Sequence, residues 1–480
     1  MKIYLLNPYF TEDYSRSSRW AAKGRGGTLY YPIWLAYATG ILEKEGHEVR
    51  LIDAVARNWN LEDTLCDVDK FKPELIVSES NFQSLKNDVN TLKTLTKSVS
   101  AKSVLVGPPT SQYKERILDE GIDFLAPFEY DFTLKRLVKS LEDGDVREDL
   151  PGVTFRNDDG KLVDHPNIIS SSEDLENLPF VSEVYKKHLN IKDYFLNHSL
   201  YPMVQIFTGR GCPNRCTFCS WPETLMGRKY RVRSVESIVN EFIYIKKNLP
   251  EVKEIFIEDD TFTIDKNHLQ NFCKQIMDMD TDFTWSCQTK ANLDYQSMQL
   301  MKQAGCRLLD VGYESGNGKI LENIKKDISV EQLREFTQNA KKAKLKILAD
   351  FVIGFPGEDF DSINDTTELI SEVKPDLLQV SVATPIPGTE FYEYCRSNNY
   401  LLTDDLEKSL DEDGFQKCIV SYPHLSNEEI EAQASRILKN YYLSTGYMTI
   451  ALKNISGKHA YDEFKLLSKS FRSYFKFLTS

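Results

Sequence analysis

Cys212, Cys216 and Cys219 stand in the run GRGCPNRCTFCSWPET at C-x3-C-x2-C spacing. Three thiolates on one tight loop can hold three irons of a cubane cluster, whereas full ligation takes four. No fourth cysteine lies nearby and no histidine follows at zinc spacing, so one iron would stay open to an outside ligand. A zinc site, which normally closes with four ligands, is the competing reading. Gly209 and Gly211 let the chain turn tightly, and Arg210 and Arg215 offset the negative charge of thiolates and cluster.

Further polar motifs follow, each at the end of a strand-like run. IEDDTF (257–262) carries Glu258, Asp259 and Asp260, and Gln288 and Lys290 end the next run. VGYESGN (311–317) sets Glu314 and Ser315 before a glycine-rich turn. VIGFPGE (352–358) contains Ile353, and ATPIPGTEFYE (383–393) turns at Pro387 and Gly388. Taken singly, each has a local explanation as a turn or a helix cap.

The elements that must position these groups alternate between strand and helix, which argues an α/β fold with parallel sheets. Residues 1–150 read as a Rossmann-like unit, with strands at 2–8, 47–54, 74–80 and 103–109 and helices at 33–46, 87–99 and 132–144. Ligands of such sheets sit at the carboxyl ends of strands. That points to the loops at Asn7–Pro8, Ser78–Asn81 and Gly107–Pro109. Residues 151–200 are rich in acidic and turn-forming residues and read as a linker, with a small hairpin around Asp158–Gly160. Residues 201–395 hold six β/α units, a partial (β/α)6 TIM-type barrel in which chemistry belongs at the carboxyl ends of strands. Residues 396–480 read as a helical C-terminal region.

With the motifs in this order along one barrel, the chain resembles the radical S-adenosylmethionine (SAM) family: C-x3-C-x2-C with an aromatic, Phe218, before the last cysteine. The resemblance implies a [4Fe-4S] cluster on Cys212, Cys216 and Cys219, with SAM chelating the open iron. Reductive cleavage of SAM then gives a 5′-deoxyadenosyl radical that takes hydrogen from the substrate. It implies SAM or substrate contacts at Glu258, Asp259, Asp260, Gln288 and Lys290, ribose contacts near Glu314 and Ser315, and adenine packing along the Ile353 motif. That motif departs from the family at its start, where Asp350 stands in place of the usual glycine.

A Rossmann-like unit before such a barrel resembles the cobalamin-binding radical SAM subgroup. The resemblance implies cobalamin contacts at Asn7, Pro8, Ser78, Gly107 and Glu129, the last without the glycine that often precedes it. The D-x-H-x-x-G lower-ligand motif is absent, so cobalamin would bind without a histidine ligand. Motifs are closest to proteins acting on hopanoid or other lipid side chains. The expected activity is modification of an unactivated carbon, most often methyl transfer in this subgroup. Ring contraction, cyclisation or rearrangement is the runner-up, and a non-catalytic cobalamin- or cluster-binding sensor is the rival from another class. Expected partners are a small-molecule or lipid substrate and an electron donor such as flavodoxin or ferredoxin.

A net charge of -13 argues against a general nucleic-acid binder. The amino terminus does not read as a signal peptide and no stretch reaches membrane-span length, so the expected location is cytoplasmic. Cys66, Cys273, Cys287, Cys306, Cys395 and Cys418 are scattered and read as small buried hydrophobes. From Arg436 onward, eight Lys/Arg stand against Asp462 and Glu463 among many aromatics, including Phe471, Phe475 and Phe477. This tail reads as a helical cap with a solvated basic face, the alternative being peripheral membrane contact. The segment RSSRWAAKGRGG (16–27), with Arg16, Arg19, Lys23 and Arg25, reads as a mobile loop or as a lid.

Overall fold

The computed structural model describes residues 1–17, 21–144, 149–279, 281–455 and 458–479, except for the side chains of 471–473 and 475–479. Arg19 and the side chains of Phe471, Phe475 and Phe477 lie outside the described residues.

The first sheet is built from β1 Lys2–Asn7, β2 Glu48–Asp53, β3 Leu75–Glu79, β4 Lys102–Val106 and β5 Phe124–Ala126, all parallel, in the order 2-1-3-4-5. These are short apolar runs buried on both faces, as parallel strands must be when helices cover the sheet. Two antiparallel strands, β6 Thr154–Arg156 and β7 Leu162–Asp164, extend it. The stretch after residue 150 is therefore not all linker. Its hairpin turns through Asn157–Gly160 and finishes the first sheet, because Phe155 packs on Phe124 with ring centroids 5.8 Å apart.

The second sheet runs β8 Met203–Ile206, β9 Glu254–Ile257, β10 Trp285–Thr289, β11 Cys306–Glu314, β12 Lys346–Ile353 and β13 Leu377–Val382, six parallel strands in sequence order. An open barrel has two edge strands with unpaired backbone groups, which must find partners when buried. Tyrosine hydroxyls supply them at both edges. Along β8, Tyr31 donates to Met203 O (2.9 Å) and Tyr185 to Gln205 O (3.1 Å), and just beyond it Tyr37 accepts from Phe207 N (3.0 Å). Along β13, the Tyr442 hydroxyl accepts from Leu378 N (3.0 Å) and donates to Leu378 O (2.6 Å).

Residues 396–426 are mostly irregular, held by isolated bridges such as Leu401↔Val420. The helical region begins only at Asn427–Tyr442 and continues in Thr445–Asn454 and Ala460–Thr479. Acidic turn residues in DDLEKSLDEDG (404–414) account for the difference, since Asp and Ser favour local turns over helix interiors. Among the described residues no helix is long and apolar enough to cross a membrane. The outer face of the tail exposes Leu443, Met448, Leu452, Tyr461 and Phe464.

The last helix is tied to the barrel by a buried ion-pair cluster. Arg307 pairs with Glu254 (2.8 Å) and Glu463 (3.0 Å), and Lys346 also reaches Glu463. Glu463→Ala leaves both cations short of a partner. The expected loss is about 3–5 kcal/mol of stability, with faster amide hydrogen exchange across 460–479 than in the rest of the chain.

Candidate active site

The cysteine loop starts where β8 ends. Thr208 is fixed by Asp259, which accepts from Thr208 N (2.7 Å) and Thr208 Oγ1 (2.5 Å). Burial pushes the Asp259 carboxyl up to about 7 despite these donors. Asp259 is therefore a brace under the loop and does not line the cavity, a correction to its expected SAM contact. Gly209–Arg210 then pairs antiparallel with Arg231–Val232. Gly211 follows with φ +88°, and a Cβ there would stand 2.2 Å from Lys229 O, so only glycine fits.

Between those glycines Arg210 is wholly buried. Its guanidinium pairs with Asp131 (2.6 Å) and Glu129 (3.6 Å) of the first unit and lies 4.4 Å from the Trp34 ring centroid. Glu129 also pairs with Arg231 (2.6 Å) and accepts from Ser170 N (2.9 Å). Its oxygens are thus spent on joining the two units, not on holding a cofactor, a second correction.

Cys212, Cys216 and Cys219 line one cavity of about 300 Å³ in the barrel mouth, together with Phe218, Glu258, Asp260, Gln288, Lys290, Glu314 and Lys326. The donor set fits a cluster with one open iron: three thiols and no other cysteine on the cavity wall. Asn214 donates to Cys212 Sγ (3.2 Å) and is itself held by Lys290 (3.2 Å). Burial pushes the Cys216 thiol up, against the nearby Lys326 and Lys290. Burial also disfavours the Lys326 ammonium, but Glu314 (2.7 Å) and the thiols of Cys216 and Cys219 hold it charged.

Glu258 is clamped at the wall by Gln205 (2.5 Å) and Gln288 (3.0 Å). Glu314 sits at φ +63° where the β11–β12 register shifts, which turns its carboxylate to Lys326. Phe218 meets Phe355 of the glycine-rich motif with centroids 4.9 Å apart. Ser315 and Ile353, in contrast, are buried away from the cavity. The Ser315 hydroxyl accepts from Asn317 N (3.2 Å) in its turn, and Ile353 belongs to the apolar core.

The expected cofactor loops of the first unit meet at the exits of β1 and β3, where strand order reverses. Arg16 fills the crevice between them. It donates to Asn7 Oδ1 (3.0 Å) and Pro8 O and pairs with Asp88 (2.6 Å). Ser78 is turned into the sheet, and Gly107 backs onto Ser80 O, which a Cβ would approach to 2.3 Å. The residues that face the gap toward Trp221 are their neighbours Glu79, Asn81, Gln83 and Pro108, with Trp34 opposite. Strand alternation turns Glu79 toward the gap where Ser78 points away. Burial pushes the Glu79 carboxyl up to about 7.

Asp310, Lys326, Asp350, Gln205 and Gln379 were not anticipated as site residues. For all but Lys326, which follows a short helix, the signal is polar side chains set into otherwise apolar strands, as with Asp310 and Glu314 in Cys306–Glu314. The fold also gathers Cys273, Cys287 and Cys306, three of the scattered cysteines, in the barrel core, where burial pushes the Cys287 thiol well up.

A partial barrel carrying three thiols on its first loop, braced against a Rossmann-like unit, defines the class. The radical SAM superfamily model matches residues 206–370. An uncharacterized methyltransferase of Pyrococcus horikoshii is 30% identical over 92% of this chain and 92% of its own. A cytidylyl-2-hydroxyethylphosphonate methyltransferase of Streptomyces wedmorensis is 23% identical over 92% of this chain and 90% of its own. The fold is shared with a radical SAM methyltransferase, TsrM, from Kitasatospora setae, solved with cobalamin and a [4Fe-4S] cluster. There the TM-score is 0.71 at 15% identity, over 98% of this chain and 99% of that one. The chain belongs to the radical SAM superfamily, in one family with the Pyrococcus horikoshii methyltransferase.

Two predictions follow from the braces. Arg210→Met leaves Asp131 buried without its cation and Glu129 with Arg231 alone. Urea unfolding is expected to show a loss of about 3–5 kcal/mol, part of it recovered in Arg210→Met/Asp131→Leu. Asp259 and Glu79 are held protonated in the folded chain at pH values where the unfolded chain has lost those protons. Their stabilisation is complete below about pH 4 and is lost as pH rises through about 7. The stability slope should reach about -1.4 kcal/mol per pH unit for each group, and Asp259→Asn should remove one share of it between pH 5 and 7.

Proposed function

We propose that this protein is a cobalamin-dependent radical SAM enzyme that methylates an unactivated carbon of a small-molecule or lipid substrate. The observation that carries this reading is a set of buried polar atoms in the gap between the first unit and the cysteine loop. Glu79 Oε2, Gln83 Oε1 and Trp34 Nε1 are sealed from solvent and have no hydrogen-bond partner. Natural interiors leave few such atoms, and each calls for a reason. A cofactor edged with amide groups, as a corrin is, offers both donors and acceptors to them. Seated there, it would take the place that the Arg16 side chain fills. The methyltransferase relatives support the same reading.

When bound, the cluster and SAM supply a 5′-deoxyadenosyl radical, and cobalamin supplies the methyl group. The chain's own residues position the reactants. Glu258, immobilised by two glutamines, presents a carboxylate for the SAM ammonium. The Glu314–Lys326 pair sets charge beside the thiols, and Phe218 on Phe355 makes an apolar wall for a nucleoside base. Trp221 of the cysteine loop stands between this cavity and the gap, lining both.

Anaerobically purified protein should hold about four iron and four sulfide per chain, together with corrinoid. With a reductant it should release 5′-deoxyadenosine and yield a product heavier by one CH2. The Cys212/Cys216/Cys219→Ala variant should lose its iron, and a variant that kept the cluster would refute the ligand assignment. SAM cleavage with an unmethylated product would leave the radical and remove the methyl transfer.

A further inference from the structure

The two carboxyl-terminal helices carry apolar side chains on two faces. Inward, Thr445–Asn454 and Ala460–Thr479 meet over one pocket at the starts of β12 and β13, lined by Tyr447, Ala451, Leu466, Leu467 and Tyr474. Outward, Met448 and Leu452 stand four residues apart on the first helix, and Tyr461 and Phe464 three apart on the second, so each pair shares a helix face. Leu443 stands just ahead of the first helix. All five are more than half exposed, Leu452 at 73% and Tyr461 at 68%. No residue of Thr445–Asn454 is fully buried, although half of that helix is apolar. Single exposed apolar residues are ordinary, but five gathered on two adjoining helices mark an interaction surface.

The charge on these helices is of one sign. From Arg436 onward eight Lys and Arg stand against Asp462 and Glu463, on a chain whose net charge is -13. Glu463 is turned inward to Arg307 and Lys346. Lys465 lies 4.4 Å from the Tyr461 ring centroid, at the rim of the apolar stripe. Lys469, one turn further, lies 4.3 Å from the ring centroid of Tyr201. Lys458, just before the second helix, reaches Asp282 (2.6 Å), and both are exposed, so that pair holds weakly.

The mixture selects the occupant. A second copy of this chain would set the cations against themselves, and lysine is depleted in the buried centres of protein interfaces. A nucleic acid would take the cations and leave Leu443, Met448 and Leu452 in water. An anionic bilayer takes both: its acyl boundary accepts the aliphatic groups and the aromatic rings, while lysine stems lie along the apolar surface and hold their ammonium groups at the headgroups.

We propose that the outer face of these two helices docks the protein on an anionic lipid surface. None of the five exposed apolar residues lines the reaction cavity, so this docking is independent of the methyl-transfer reading.

The test is co-flotation of the whole cluster-loaded chain with vesicles of phosphatidylcholine alone or with about one third phosphatidylglycerol. Binding to the mixed vesicles should be tighter by about tenfold or more, and should fall about tenfold when salt rises from about 0.1 to 0.5 M. Leu452→Asp/Phe464→Asp should lose binding and keep the thermal unfolding midpoint, because both side chains are exposed. Lys465→Glu should weaken binding to the mixed vesicles only. In Leu452→Trp, the mixed vesicles should move emission to the blue relative to the unmodified protein, which contact through headgroup charge alone would not do. The vesicle comparison and the tryptophan signal do not depend on a charged variant that folds. Light scattering without lipid should give a mass that Leu452→Asp/Phe464→Asp leaves unchanged. Equal binding to both vesicle types, binding to neither, or full binding by a folded Leu452→Asp/Phe464→Asp would each overturn the proposal. So would a dimer that this variant breaks, which would assign the face to a second copy, or RNA binding that it abolishes.

Discussion

A single buried guanidinium holds the arrangement together. Arg210 lies two residues before Cys212, and its partners Asp131 and Glu129 belong to the other unit. A charge taken wholly out of water is costly unless it is paired, and several kilocalories per mole separate the paired from the unpaired state. The cysteine loop therefore cannot move away from the first unit without exposing that cost. Trp34, 4.4 Å beneath the guanidinium, adds a face that attracts the cation and excludes water. Asp259 and Gly211 shape the loop locally, but Arg210 decides what the loop is next to.

The same logic extends to the open barrel. Six strands leave two edges, and each is closed by hydroxyls from outside the barrel. Tyr31, Tyr37 and Tyr185 serve β8, and Tyr442 serves β13. Tyr31 also donates its backbone N–H to Gln205, which holds Glu258, which holds Gln288. A change in the amino-terminal segment is thereby coupled through three side chains to the cavity wall. Closing an edge and placing a functional carboxylate are one network here.

What could be read from the residues alone followed from local rules. C-x3-C-x2-C is a spacing within one loop, and the barrel strands are apolar runs whose parallel packing leaves a plain mark. The hairpin is legible from its turn, NDDG, but its three-residue strands are too short to show that they extend the first sheet. Glu129 was assigned to a cofactor since its place in the loop order suggested one. Its actual partner, Arg231, is 102 positions away, and no local pattern encodes that distance. Ser78 and Asp259 differ for a smaller reason: a shift of one residue reverses the face, so Glu79 points where Ser78 is expected, and of the expected Glu258, Asp259 and Asp260 only the first and last line the cavity.

Asp350 shows why a departure from a family pattern can carry more information than a match. Glycine at that place would leave a smooth lumen wall. An aspartate puts a carboxyl into the interior against Asp310, where burial and mutual repulsion both disfavour charge. This arrangement lowers stability, because an acceptor oxygen is left without a donor at a cost of about 1–3 kcal/mol. The fold does not collapse around the pair to relieve it. Gly312 gives up its side chain so that Lys326 can serve Glu314 instead, and Gln379 stands beside Asp350 in the strand register. A core selected only for stability would place an apolar side chain at 350, as at its lumen neighbours Leu348 and Val352. The carboxyl at 350 therefore marks a place where the lumen gives up stability that an apolar side chain would keep.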